Sequence, residues 1–144
     1  MAAIVEEITV EATPQRVYDA LTRQDEIVRW WASEARVKPE VGSLGTFHFR
    51  PSAGVLKFEV AELKQGEKVC WISRQAPPSW SGTTVTWELT PLHNATRVIF
   101  THAGFARIDE AIERVRENWA FFLSSLKSYL ETGKGIPGTP PNLK

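Results

Sequence analysis

Two periodicities divide the chain. From residue 108 onward, Ile108, Ile112, Val115, Trp119, Phe122, Leu126 and Leu130 recur at steps of three and four, so they share one helical face. Arg114, Arg116, Glu117, Lys127 and Glu131 fall mostly away from that seam, where water solvates them. Asp109 is placed to cap this helix and Gly133 to end it. Between Gly42 and Ala103 the period is two. Val85, Trp87 and Leu89 alternate with Thr84, Thr86, Glu88 and Thr90, and Val98, Phe100 and His102 share a face opposite Ile99 and Thr101. Phe47 and Phe49 alternate with His48 and Arg50. Val55 to Leu63 and Lys68 to Arg74 read as a hairpin closed around Gln65-Gly66-Glu67.

Before these strands, Ile4 to Val10 reads as an opening strand. Thr13-Pro14 is a helix start, with Thr13 capping and Pro14 at the first helical position, where its missing N–H costs nothing. Asp25 is a second cap, for a short helix through Ile27, Val28, Trp30 and Trp31. Gln75 to Gly82 is a loop, because Pro77-Pro78 cannot feed a sheet ladder; it carries Trp80, a candidate lid or self-association residue. The fold class expected is α+β: a strand, two short helices and six strands, with a curved antiparallel sheet wrapped around a long C-terminal helix. Residues 1–133 are expected to form one domain. The tail 134–144 (KGIPGTPPNLK), rich in proline and glycine, is expected to be irregular or disordered.

Composition narrows the function classes. The 17 basic and 17 acidic residues balance and are scattered, so a nucleic-acid footprint is not expected. No run approaches the ~20 apolar residues of a membrane span, and nothing at the N-terminus reads as a signal peptide, so a cytoplasmic protein is expected. Cys70 has no partner cysteine, and the histidines at 48, 93 and 102 show no ligand spacing, so no metal is expected. The glycines at 42 and 45 open a strand, which lacks the phosphate-binding geometry of a helix start. No cofactor and no catalytic set is expected.

Six tryptophans in 144 residues suit either a roomy aromatic pocket or a bulky core. Trp71, Trp87 and Phe100 on inward strand faces, and Val115, Trp119 and Phe122 on the helix seam, are the candidate lining of a cavity. Alternatively they meet one another and fill the core at native density. His102 ends an apolar strand face near the start of the long helix. There it could orient a ligand carbonyl or act as acid or base, or be a half-buried histidine bonded to backbone at the sheet rim. His48 and Arg50 are expected to face solvent, since Phe47 and Phe49 are the inward pair; a one-residue slip would reverse this.

The blocks VEEITVEATPQRVYDALTRQDEIVRWW, GSLGTFHF, TVTWELTPLHNATRVIFTHAGF and ENWAFFLSSLKSYLETGKG resemble, in order, the domain family named for homology to the activator of the heat-shock protein 90 ATPase, within the START-like SRPBCC superfamily. The resemblance runs from about Val5 to Gly135 and implies the helix-grip fold. Superfamily relatives imply binding of a hydrophobic small molecule (lipid, polyketide or sterol) between sheet and helix. The family name implies a chaperone partner, although the eukaryotic activators add an N-terminal chaperone-contacting domain for which 144 residues leave no room. The leading expectation is therefore non-enzymatic binding of a hydrophobic or amphipathic small molecule. The alternatives are a co-chaperone module acting on a heat-shock chaperone ATPase and a cyclase- or dehydratase-type enzyme using His102.

Overall fold

The computed structural model describes residues 2–50, 55–75, 82–105 and 110–138. Asp109 with its expected cap, Ile108 of the seam, and Trp80 lie outside these residues.

The strands are β1 (Ala2–Val10), β2 (Glu34–Arg36), β3 (Leu44–His48), β4 (Val55–Lys64), β5 (Lys68–Gln75), β6 (Thr84–Leu92) and β7 (Ala95–Phe105). The helices are α1 (Pro14–Thr22), α2 (Gln24–Trp30) and α3 (Glu110–Thr132). The seven strands form one antiparallel sheet in the order β1-β7-β6-β5-β4-β3-β2, so the first strand closes onto the last. This is the α+β helix-grip arrangement. The register shift between Val60 and Glu62 places an extra residue in β4, and that between Lys57 and Phe58 places one in β5; bulges of this kind bend a strand.

Local chemistry accounts for the start of α1 and the end of α3. Thr13 caps α1 by accepting from the Arg16 N–H at 3.1 Å, with Pro14 at the first helical position. Helix α2 differs from expectation: Arg23 is its N-cap and no side chain bonds there. Asp25 instead lies with Glu26 in the first turn, where a carboxylate favours the positive end of the helix dipole. Gly133, at a positive φ of 86°, ends α3 with its N–H bonded to the Tyr129 carbonyl.

Alternation sets the core. Register aligns Ile4, His102, Val85, Trp71 and Val60 in one row across five strands, with Phe100, Trp87 and Val69 in the next inward row. All of these are buried. Helix α3 closes the sheet with Ile112, Val115, Trp119, Phe122, Leu123, Leu126 and Tyr129, a face wider than the seam alone. Phe47 and Phe49 are buried, whereas Arg50 is exposed and pairs with Glu34 at 2.8 Å. None of the described helices is long and apolar enough to cross a membrane.

Residues 134–138 have no regular structure, yet they are docked on the body of the protein. The Ile136 N–H donates to Ser125 Oγ at 2.7 Å, the Gly138 N–H to the Trp31 carbonyl at 2.9 Å, and Ser128 Oγ to the Lys134 carbonyl at 2.7 Å.

Candidate functional site

The seven residues expected to line a cavity converge. Trp71, Trp87, Phe100, His102, Val115, Trp119 and Phe122 are all buried, the strand residues on the concave face and the others on α3 opposite. Their rings touch: Phe100 and Trp119 have centroids 4.4 Å apart, Trp87 and Phe100 4.8 Å, and Trp119 and Phe122 5.6 Å. Such spacings are those of paired aromatic rings in a packed interior. The space among the seven is thus held by side chains in this arrangement.

The centre of the cluster is Trp31, which sequence reading placed on a short helix and did not count among site residues. Its ring stacks on Trp71 at 5.4 Å, Trp119 at 5.8 Å and Phe58 at 5.8 Å. It also meets Phe47 at 4.9 Å, Phe49 at 5.1 Å and Phe122 at 6.2 Å. Trp31 is the C-cap of α2, so its backbone belongs neither to the helix interior nor to a strand ladder. Its neighbour Trp30 bonds the Ala20 carbonyl through Nε1 at 2.8 Å. Two consecutive tryptophans at a helix end were the available signal, since residues one apart on a helix point to different sides.

His102 is fully buried rather than at the rim, and side chains bond both of its ring nitrogens. The Trp119 indole N–H donates to Nδ1 at 3.0 Å, and Nε2 lies 2.7 Å from Thr83 Oγ1. Because Nδ1 accepts, the neutral ring carries its proton on Nε2 and donates it to the Thr83 hydroxyl. Burial lowers the pKa to about 3, since a charged imidazole would be stripped of water. As arranged, His102 orients Trp119 and Thr83 and is neutral at ordinary pH. Thr83, another residue sequence reading did not single out, precedes β6 and is buried.

Not every polar group in this interior is satisfied. The Trp31 and Trp87 indole nitrogens and the Ser73 hydroxyl are buried without a hydrogen-bond partner among the described residues. Ring faces accept N–H groups only weakly. A cavity of about 10 Å³ adjoins the cluster, lined by residues that include Leu21, Ile27, Phe47, Phe58 and Trp71. That is room for about one water, against about 300 Å³ or more for a typical ligand site.

Comparison with known proteins gives a family. The family described as "Activator of Hsp90 ATPase homolog 1-like protein" matches residues 11–131. The solution structure of the Aha1 dimer from Colwellia psychrerythraea is similar, with 35% identity and a TM-score of 0.84, covering 94% of this chain and 100% of that one. A protein from Mesorhizobium loti shares 25% identity at a TM-score of 0.78, over 90% of this chain and 96% of the other. One from Staphylococcus saprophyticus, 20% identical at a TM-score of 0.79 over 96% and 98% of the two chains, shares the fold. No curated protein matches the sequence.

Proposed function

Since the chain belongs to the Activator of Hsp90 ATPase homolog 1-like family, within the START-like helix-grip superfamily, we propose that it is a non-enzymatic binding module for a hydrophobic or amphipathic small molecule held between its sheet and α3. The observation that carries this reading is the pair of indole donors, Trp31 and Trp87, sealed in an aromatic cluster without an acceptor among the described residues. A buried donor left unpaired costs about 1–3 kcal/mol. Two in one cluster are an unmet demand for oxygen. A ligand with a flat apolar body and one or two carbonyl or ether oxygens meets it. Trp71, Phe100, Val115, Trp119 and Phe122 supply apolar contact, and His102 holds the Trp119 indole in place.

Such a ligand displaces a ring instead of filling a void. Trp31 is the ring to give way, because its backbone stands at a helix cap. Apparent affinity is then the intrinsic affinity scaled by the fraction of molecules with that ring withdrawn. The test is native mass spectrometry together with NMR titration against lipid and polyphenol panels, following the indole N–H resonances of Trp31 and Trp87. Binding is expected to shift both. A panel that leaves both unmoved at saturating concentration ends the proposal.

A second reading, a co-chaperone acting on a heat-shock chaperone ATPase, is favoured by one observation: the relative that shares 35% identity over nearly all of this chain carries the Aha1 name. It predicts a changed chaperone ATPase rate when this protein is added. An unchanged rate without co-purification argues against it.

A further inference from the structure

The carbonyls at the end of α2 are the orphans of a helix C-terminus and need donors from elsewhere. Ser125 Oγ, on α3 and buried, donates to the Trp30 carbonyl at 2.7 Å and accepts from the Ile136 N–H at the same distance. The Trp31 carbonyl takes the Gly138 N–H at 2.9 Å. Segment 134–138 therefore lies across the backbone that carries Trp31.

The fit is close enough to demand glycine. A Cβ on Gly135 would stand 2.4 Å from the Arg29 carbonyl oxygen and 2.9 Å from Trp30 Cα. A Cβ on Gly138 would stand 2.9 Å from the Arg50 carbonyl oxygen, at a φ of +108° that side chains rarely adopt. The segment nonetheless anchors no large apolar side chain. Lys134 and Pro137 are exposed, and Ile136 is 61% exposed. Backbone hydrogen bonds and glycine contacts hold it, and segments with little buried apolar area open locally before the fold does.

We propose that residues 134–138 act as a releasable strap that keeps Trp31 seated in the ring cluster, and that lifting the strap lets Trp31 withdraw and admits the ligand. The admission of ligand rests on the binding reading above; the hold on Trp31 stands apart from it. Docked, the strap fixes the Trp31 carbonyl and with it the cap backbone from which the ring projects. Lifted, it frees the α2 end while the sheet and α3 stay paired.

Hydrogen exchange by NMR tests the strap on the full chain with Gly135→Ala and Gly138→Ala, neither of which touches a ring. In both variants the Ile136 and Gly138 amides are expected to lose protection, and the Trp31 indole N–H to exchange at least tenfold faster. The equally unpartnered Trp87 indole N–H should keep its wild-type rate. Acceleration of Trp31 and Trp87 in step, in both variants, would mean general loosening and overturns the strap. So does an unchanged Trp31 rate, or a Gly138 amide that stays protected in both. The second arm measures association of the naphthalene sulfonate probe ANS, which is expected to be several-fold faster in the variants. If ANS binds neither form while Trp31 exchange rises as stated, the strap stands and the ligand reading falls. If ANS binds both at one rate, gating by the strap is overturned.

Discussion

Trp119 on the closing helix donates its indole N–H to Nδ1 of His102 on β7, 3.0 Å away, and this one bond sets the tautomer of a fully buried imidazole. The proton then lies on Nε2, facing Thr83 Oγ1. Nitrogen-15 chemical shifts of the His102 ring should report a neutral, Nε2-protonated imidazole throughout the neutral range. A protonated ring, or a proton on Nδ1, would contradict the geometry.

Stability should fall with acidification above the range where carboxylates titrate. His102 has a folded pKa of about 3 against an ordinary 6.5, so the unfolded chain takes up the proton first as pH drops. The associated stability is fully present above about pH 6.5 and is lost progressively toward pH 3. At about pH 4.5, two units into that window, the loss is on the order of 3 kcal/mol. Denaturant unfolding at several pH values should show this slope, and His102→Gln should flatten it. A wild-type curve that is level between pH 6.5 and 4.5 would rule the idea out.

Removing the central ring should be costly. Trp31→Ala withdraws a side chain that meets six rings besides its neighbour Trp30, and large-to-small changes of this kind cost about 3–5 kcal/mol. Trp31→Phe keeps part of the stack and should cost clearly less. The denaturation midpoint measures both, and equal losses would show that Trp31 does not fill the cluster.

A polar latch joins the three helices toward the C-terminal end of α3. Arg16 of α1 pairs with Glu26 of α2, Tyr129 of α3 donates to the same carboxylate at 3.0 Å, and the Arg16 guanidinium stands 5.3 Å from the Tyr129 ring centre. The bond to Tyr129 comes first among the effects that hold the Arg16 pKa above its usual value. Tyr129→Phe removes two bonds from a buried hydroxyl and should cost about 1 kcal/mol. By contrast, Glu59→Gln on the half-exposed Arg74 pair should stay within about 0.5 kcal/mol. Chemical unfolding of both variants checks the contrast, and comparable losses would show that burial does not separate the two sites.

The fold was legible because its signals are periodic. The three- and four-residue steps from Ile112 to Leu126 and the alternation from Thr84 to Leu89 survive as a closing helix and a half-buried strand. Inward strand residues such as Trp71 and Trp87 could be named because alternation gives a face once one residue is fixed. Trp31 could not be found that way. It sits at a cap, where no period applies, and its ring contacts come from β3, β4, β5 and α3, with Phe49 just beyond β3. The inward direction of His102 is legible from alternation but its surroundings are not: a strand-end position resembles a rim, while Thr83 and Trp119, distant in sequence, enclose it. Proline and glycine content predicts an irregular or disordered tail, and residues 134–138 are irregular but docked. Their glycines instead permit close backbone approach, which composition alone cannot distinguish from freedom.

The pairing of β1 with β7 bears on how the chain reaches this state. Ile4 lies opposite His102, and the C-terminal part of α3 reaches back to the end of the first strand through Lys127 at the Thr9 carbonyl and Glu131 at the N–H of Glu11, the residue after the strand. A nascent β1 leaving the ribosome has no ladder to join until β7 has emerged, and no clamp until α3 follows. Loop closure over most of the chain must precede the contacts that reward it. Pairing of β1 is therefore a long-range step that waits for β7, whereas β2 to β7 pair between neighbours in sequence.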